Sequence, residues 1–495
     1  MGGALRSTVA RDSMLPSMKV FTVPVFNPGL RRVLVLALAA GLAGCASYTS
    51  KTQKLRAAWT AGDYPQAANI AAGEMKHNDA NVDTVLWDLE AGATARAAGD
   101  IHASMAAFNA ADGLFDYWDT QPAVSISRES AALLINPTVL PYRGYDYDRI
   151  MESVYQALNY LQLGQFDQAR VELTRALERQ QTAMTKNAAR AQAAQEASAN
   201  SGANAGYDAA RAQADPHFQA AMRENFGPLD SLKYYADYAN PFATYLRAAC
   251  LLARPQSPSD NESARVDFAR VQAMIGHNDF IDADCALATQ ITQGGKLPPL
   301  VFVIYETGQA PDRVETRISI PLFLATRDVP YFGAAFPKLN FNPLYNPGLV
   351  VQAAGGAPLR TALLCDMDSV IAQEFRNELP EVVVKTLVSA GAKATALFAA
   401  HQGTKNNDLL DVLTQLSGLV YEDAANHADL RTWVTLPKQI QFCRLLTPAD
   451  HKLYVARAGI SESLEIDLPD APVTMVSIQS TSPAGPLAVQ VFPLR

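Results

Sequence analysis

The 495-residue chain carries no local signature of catalysis: no His-Glu-x-x-His, no Gly-x-Ser-x-Gly, no phosphate-binding glycine loop and no dinucleotide glycine fingerprint. Its seven histidines stand without partners three or four residues away, which argues against a helix-borne metal site, and its five cysteines lack zinc-like spacing. No metal, no cofactor and no catalytic residue is assigned from these patterns. Lys and Arg number 41 against 49 Asp and Glu, a balance poorly suited to nucleic acid or to anionic lipid as a whole surface. No apolar run reaches the ~18 to 20 residues of a membrane span. What remains, at 49% hydrophobic and 18% charged, is a chain able to form globular cores.

The amino-terminal region carries an address. Arg31 and Arg32 precede the apolar run Val33 to Leu42, and small residues lead to Cys45, a secretory signal pattern too short to span a bilayer. Leu42-Ala43-Gly44-Cys45 resembles the lipobox of bacterial lipoproteins. That resemblance implies cleavage of residues 1–44, a thioether-linked diacylglycerol on Cys45 and acylation, with palmitate among the chains, of the new amino terminus. Several acyl chains make a lasting anchor where one binds reversibly. Pro16, Pro24 and Pro28 make the first part of the leader unhelical, so translation from Met14 or Met18 is an alternative start. Ala46 after the cysteine is not the Asp that retains such lipoproteins in the inner membrane of enteric bacteria, so the outer membrane, periplasmic face, is the expected destination. Loss of the leader removes five basic residues and one acidic one, leaving 36 Lys and Arg against 48 Asp and Glu.

The remaining length exceeds the ~250 to 300 residues at which single cores stop growing, and two domains are expected. After a lipid tether over residues 45–53, residues 54–293 read as all-helical. Apolar and Ala positions recur at three- and four-residue spacing, broken at Gly62-Asp63, Gly99-Asp100 and Gly164-Gln165. These turns resemble the one between the two helices of a tetratricopeptide repeat. Gly92, Ala95, Ser104, Phe108 and Ala111 fall at consensus positions, as do Ala157, Tyr160, Ala169, Leu173 and Ala176, although the spacing of the turns is irregular. Residues 185–215 are Ala- and Gln-rich with little to bury, and predict a projecting hairpin turning at Ser201-Gly202, or disorder.

From residue 297 the pattern changes to strands. Leu300 to Glu306 and Arg313 to Phe323, separated by a Thr307 to Asp312 turn, predict a hairpin. A long helix from Met367 to about His401, broken before Pro380, and a shorter one near Leu409 to Asn426 follow. Short strands are expected at 430–436, 439–446, 452–457, 463–466, 473–479 and 487–492. The fold class is therefore α+β: a degenerate tetratricopeptide-like helical domain, then a mixed, mainly antiparallel β domain with inserted helices. Cys250 with Cys285 and Cys365 with Cys443 is the economical disulfide pairing, and four buried thiols are the equal alternative.

Longer phrases span the chain. Tyr142-Arg143-Gly144 with Tyr147-Asp148, Tyr155 to Leu161 with Ala169 to Glu172 and Arg175-Ala176, and Asn240-Pro241-Phe242 with Tyr245-Leu246 lie in the first half. Glu306-Thr307-Gly308 with Pro311, Asp366-Met367-Asp368 with Glu374-Phe375 and Leu379-Pro380, and Ala428 to Trp433 with Leu436-Pro437 lie in the second. Together they resemble an uncharacterised family of tetratricopeptide-bearing lipoproteins of Gram-negative bacteria. The resemblance implies an envelope lipoprotein without established enzymatic activity, working beside other outer-membrane lipoproteins.

Two groups of residues stand out as candidate sites. Tyr142, Arg143, Tyr145 and Tyr147 have the composition of a partner-binding surface, with packed tyrosines around a Gly144 turn as the structural reading. Asp366, Asp368 and Glu374 are the best carboxylate cluster, a weak one, with helix capping as the structural reading. The function expected is that of a lipid-anchored scaffold or assembly accessory for other envelope proteins. Binding or hydrolysis of cell-wall or surface polysaccharide by the carboxyl domain is the alternative, and a structural role in an envelope complex is a third.

Overall fold

The computed structural model describes residues 48–78, 81–121, 138, 140–205, 207–236, 238–323, 331–402, 427–460 and 462–495. The leader, Cys45 and the helix expected at 409–426 lie outside them. Helices come first: α1 (Tyr48–Lys51), α2 (Gln53–Ala61), α3 (Tyr64–His77), α4 (Thr84–Ala97), α5 (Ile101–Thr120), α6 (Asp146–Gln162) and α7 (Phe166–Ala205). Then follow α8 (Ala209–Gln213), α9 (Pro216–Phe226), α10 (Pro241–Ala253), α11 (Pro258–Ile275) and α12 (Asp279–Thr292). Six strands come next, β1 (Leu300–Thr307), β2 (Asp312–Pro321), β3 (Tyr331–Asn340), β4 (Leu349–Ala353), β5 (Leu359–Arg360) and β6 (Ala362–Asp366). Helix α13 (Met367–Gln402) leads to β7 (Gln439–Leu446), β8 (Lys452–Arg457), β9 (Ser463–Asp467), β10 (Val473–Ser480) and β11 (Ala488–Pro493). The chain is thus mixed α+β, helices before sheets, as expected. Helical structure already starts at Tyr48, so the tether expected to reach residue 53 is shorter.

The expected turns join helices in the expected way. Gly62, Gly99 and Gly164 follow α2, α4 and α6 at φ 74°, 87° and 69°, a left-handed conformation that penalises side chains with a Cβ. Asp63 and Asp100 then accept the N–H of Gln66 at 3.1 Å and of Ala103 at 3.0 Å, capping the helix that follows. Small residues set the helix separation: a Cβ on Gly92 of α4 would lie 2.5 Å from the Phe108 ring of α5.

Strand β1 is buried along its whole length and organises the sheets. It pairs in parallel with β10 and antiparallel with β7 in the order β11-β10-β1-β7-β6. Leu300, Phe302 and Ile304 face the helices, while Val301, Val303 and Tyr305 pack on Leu349, Val351, Leu453 and Val455. The second set belongs to a four-stranded sheet, β5-β4-β8-β9. Helices, five-stranded sheet and four-stranded sheet form three layers.

Several expectations are corrected. Strands β1 and β2 form no hairpin, because both edges of β1 are taken; β2 pairs with β3 instead. The connecting turn is pinned elsewhere, Gly308 N–H to Ser480 O at 2.9 Å and Ala310 N–H to Leu436 O at 2.9 Å. Residues 430–436 are irregular rather than a strand, and α13 runs through Pro380 without ending. Secondary structure changes between α12 and β1 as expected, yet the core crosses that point: Tyr245 of α10 meets Phe442 and Phe302 at ring-centroid distances of 4.9 and 6.4 Å. Residues Tyr48–Arg495 form one compact unit.

The Ala- and Gln-rich segment neither projects nor turns at Ser201-Gly202; α7 continues to Ala205 and packs along α13. Tyr207, buried, donates its hydroxyl to Pro321 O at 2.8 Å and lies so close to Gly391 of α13 that a Cβ there would be 2.3 Å from its ring. Ala183, Ala194, Ala209 and Ala212 are buried. Small side chains here permit close approach, which composition alone reads as nothing to bury. The four described cysteines are free thiols, three buried and Cys285 half-buried, so the disulfide pairing gives way to its alternative. Burial pushes the thiols of Cys250 and Cys443 up to about 12.

Gly92→Ala tests the packing. The added methyl must displace a fully buried Phe108, which is expected to cost about 1–3 kcal/mol and to outweigh the ~1 kcal/mol that Ala gains in helix propensity. Urea unfolding reads the balance, and an unchanged or raised midpoint would show that α4 and α5 have room to spare.

Candidate functional site

The two groups singled out in the sequence meet in space. Gly144, at φ 76°, turns the chain into α6, and Phe115 stands 2.5 Å from where its Cβ would be, so only glycine fits. Asp148 reaches back to accept the Tyr145 N–H at 2.9 Å and also takes the Tyr142 hydroxyl. The next two amides have a distant partner. Asp146 and Tyr147 donate their N–H groups to the carboxylate of Glu374, on α13, at 2.6 and 2.8 Å. Asp146 itself pairs with Arg190 of α7 at 2.8 Å. Glu374 is therefore a helix cap supplied from the other half of the chain, favoured by the amino-terminal dipole of α6.

The tyrosines are packed rather than displayed. Tyr142 and Tyr147 are buried and Tyr145 is half-buried. Tyr145 stacks on Tyr147 at 5.3 Å and meets Tyr142 edge-on at 5.5 Å. The Tyr147 hydroxyl lies 3.2 Å from Thr432 Oγ1. The Arg313 guanidinium covers the Tyr145 ring at 3.8 Å and pairs with Glu378 at 3.2 Å. These three tyrosines line the interior, which corrects their reading as a partner surface. Arg143, half-buried, lies over the Trp118 ring at 4.9 Å.

The acids are also separated by role. Asp366 accepts the Ser369 hydroxyl at 2.8 Å at the start of α13. Asp368 pairs with Lys438, and burial, the largest influence, lifts its carboxyl to about 6. Glu374 is raised as well, first by burial and then by the Asp146 charge. Asp368 and Glu374 are buried under their partners, and the three carboxylates serve three different contacts of the fold.

Residues not singled out as candidate sites complete the arrangement. Glu90 of α4, fully buried, accepts the Val434 N–H at 2.7 Å, the Thr435 hydroxyl at 2.7 Å and the Tyr48 hydroxyl at 2.8 Å. Glu306 of β1 pairs with Arg96 at 3.2 Å and takes the Tyr155 hydroxyl at 2.7 Å, while Arg96 also donates to Ser477 Oγ at 3.1 Å. Arg431 binds Asp429 at 2.6 Å and Asp83 at 3.3 Å. The signal for Glu90 and Arg96 was the presence of charged residues, with Asp88, in a helix otherwise rich in apolar and small side chains; all of α4 from Val85 to Ala97 is buried.

At the surface, a shallow groove of about 620 Å³ runs between α7 and the start of α11, lined by Asp167, Arg170, Val171, Thr174, Arg175 and Glu178 with Gln256. Arg170 there is held by Asp260 through two contacts of 3.1 Å. Among the described residues no group of three His, Cys, Asp or Glu is placed to hold a metal ion. No helix among them is long and apolar enough to cross a membrane. No family model matches the chain, nor does any curated protein or solved structure.

Two outcomes follow from the buried acids. Glu374→Ala leaves two amides of α6 unpaired in the interior and is expected to destabilise by about 2–5 kcal/mol, read by denaturant unfolding; a loss below the precision of the measurement would mean that water replaces the cap. Burial also raises the carboxyls of Glu90 and Asp148 to about 7 and of Glu152 to about 8. Because these folded values exceed the unfolded ones, the native state holds more protons from ~pH 4.5 upward until each group ionises. Their stabilising contribution is complete below that range and lost as pH rises through 7 to 8. The melting temperature is expected to rise between pH 8 and pH 6, with a shallower slope in Glu90→Gln. A slope of opposite sign would mean that these acids are ionised and paired throughout.

Proposed function

We propose that the protein is a lipid-anchored envelope protein on the periplasmic face of the outer membrane, acting as a scaffold or assembly accessory for other envelope proteins. The observation that carries this reading is the position of Tyr48. Only Ala46 and Ser47 separate Cys45 from it in the chain, and Tyr48 is already buried, its hydroxyl on Glu90 and its ring 5.4 Å from Trp87. Two intervening residues span at most about 10 Å, so a lipid on Cys45 would keep the folded body at the membrane surface. The helix hairpins at Gly62, Gly99 and Gly164, with the close Gly92–Phe108 contact, support a degenerate tetratricopeptide-like arrangement, an architecture that serves docking rather than chemistry. Buried ion pairs that fasten helices to the sheet give such a scaffold a fixed shape.

Expression with the leader in a Gram-negative host tests the anchor. The wild-type chain is expected in the outer-membrane fraction with an acylated amino-terminal peptide by mass spectrometry, and Cys45→Ser is expected to carry no lipid. An unmodified Cys45 in membrane-free wild-type protein would end this reading. Crosslinking in intact cells then reads the scaffold: a reproducible envelope partner that disappears with Cys45→Ser supports it, and the absence of any partner at normal abundance counts against it.

A further inference from the structure

The four tryptophans of the chain are unequally placed. Trp59, Trp87 and Trp433 are at most 1% exposed, whereas Trp118, near the end of α5, is half-buried. Tyr117 beside it is 52% exposed, with the two ring centroids 4.9 Å apart. The Arg143 guanidinium lies over the Trp118 ring at 4.9 Å, and Leu140, 43% exposed, precedes it by three residues. Arg149 and Lys186 flank this patch, both near Asp119, at 2.9 and 3.6 Å. Aromatic rings with polar edges, an exposed leucine and cationic side chains are the set that settles at the depth of lipid headgroups.

The patch is joined to the start of the folded body by a short relay. Lys51 of α1 donates to Asn78 Oδ1 at 3.0 Å, and Asn81 donates to the same oxygen at 2.7 Å. The carbonyl of the next residue, Val82, accepts the N–H of Tyr142 at 2.7 Å, and Arg143 follows directly. A chain of contacts through Asn78, Asn81 and Val82 thus links the end of the body that continues to Cys45 with the residue that precedes Arg143.

We propose that Tyr117, Trp118, Leu140 and Arg143 rest on the lipid surface to which Cys45 is attached, so that the body sits on the membrane in one orientation instead of swinging on its tether. This rests on the anchoring reading above. The acidic chain as a whole offers lipid no general attraction; the contact is local, made by the rings and Leu140 with Arg143 and Lys186 as its cations, while Arg149, only 12% exposed, holds Asp119 and the Arg143 carbonyl in place. A lipid surface is favoured over a protein as occupant because an anchor two residues from α1 holds this end of the molecule beside the bilayer.

Trp118 provides its own readout. Lipidated protein purified from membranes is reconstituted into phosphatidylethanolamine–phosphatidylglycerol vesicles, once with ordinary acyl chains and once with chains brominated near the headgroup. Bromine quenches only a tryptophan that reaches the lipid, so the expected loss is that of one tryptophan in four, about a quarter of the emission. Trp118→Phe is expected to abolish the difference between the two vesicles, and Leu140→Glu with Arg143→Glu to diminish it while Trp118 remains. Equal emission in both vesicles, with the amino-terminal peptide of the same sample carrying its acyl chains, overturns the proposal and leaves the patch to a protein partner. An amino-terminal peptide without acyl chains overturns the anchoring reading instead, a distinct result read by mass.

Discussion

The bond of Glu374 to the first amides of α6 is the constraint on which the arrangement of the two halves depends. A helix start carries N–H groups with no intrahelical partner, and α6 begins in the interior, where water does not supply one. A carboxylate from a helix more than two hundred residues later satisfies two of them. Removing a carboxylate from water costs several kcal/mol, and hydrogen bonds to a charged group return about 1.5–3 kcal/mol each. The two terms nearly cancel, so Glu374 contributes less to net stability than to the choice of a single docking geometry: any other placement of α13 against α6 leaves a buried acid and two buried amides unpaired.

The same device recurs wherever a helix meets the sheet. Glu90 stands in for a neighbouring strand, taking the backbone N–H of Val434 in a stretch that has no ladder of its own. Glu306, on the strand buried on both faces, receives Arg96 from α4 and Tyr155 from α6. Around these polar points the contact is aromatic, with Trp433 edge-on to both Tyr155 and Phe108 at 5.8 and 6.0 Å. Apolar burial supplies the cohesion, the charged pairs supply register, and the result is a body whose chemically conspicuous groups are occupied by one another. What such a body offers outward is shape and a few exposed side chains, which is why the reading of function falls on the anchor and the surface.

Legibility in the sequence followed the range of each signal. The glycine and aspartate pairs at 62–63 and 99–100 acted as stop and start within one helical turn, and strands β7, β8, β10 and β11 fell within a residue or two of their alternating runs. Strands β3 and β4 were missed because Gly333, Pro337 and Gly348 interrupt or flank weak alternation. The Ala-rich segment misled because small side chains look inert alone, whereas Ala183 and Ala194 are buried in the fold and Gly391 leaves the space that the Tyr207 ring fills. The tyrosines of 142–147 and the acids of 366–374 were both recognised as unusual; the packing reading of the tyrosines matches their burial, whereas Asp366 accepts the Ser369 hydroxyl and Asp368 pairs with Lys438, and the acid that caps a helix is Glu374, on α6 rather than on its own helix. That Glu374 caps the helix begun by those tyrosines was invisible, since no local pattern links positions 146 and 374.

By itself the sequence determined the helical first half, the strand-rich second half, the turn positions and the lipobox-like run before Cys45, because propensity, capping and hydrophobic alternation act over a few residues. Tertiary structure alone decided that β1 pairs with β7 and β10 instead of its neighbour β2, that both halves share one core, and that Tyr142, Tyr147, Asp368 and Glu374 are buried while Arg143 and Trp118 are half-buried. Those outcomes depend on which distant group satisfies each buried donor and acceptor, and that choice is made only when the whole chain is folded.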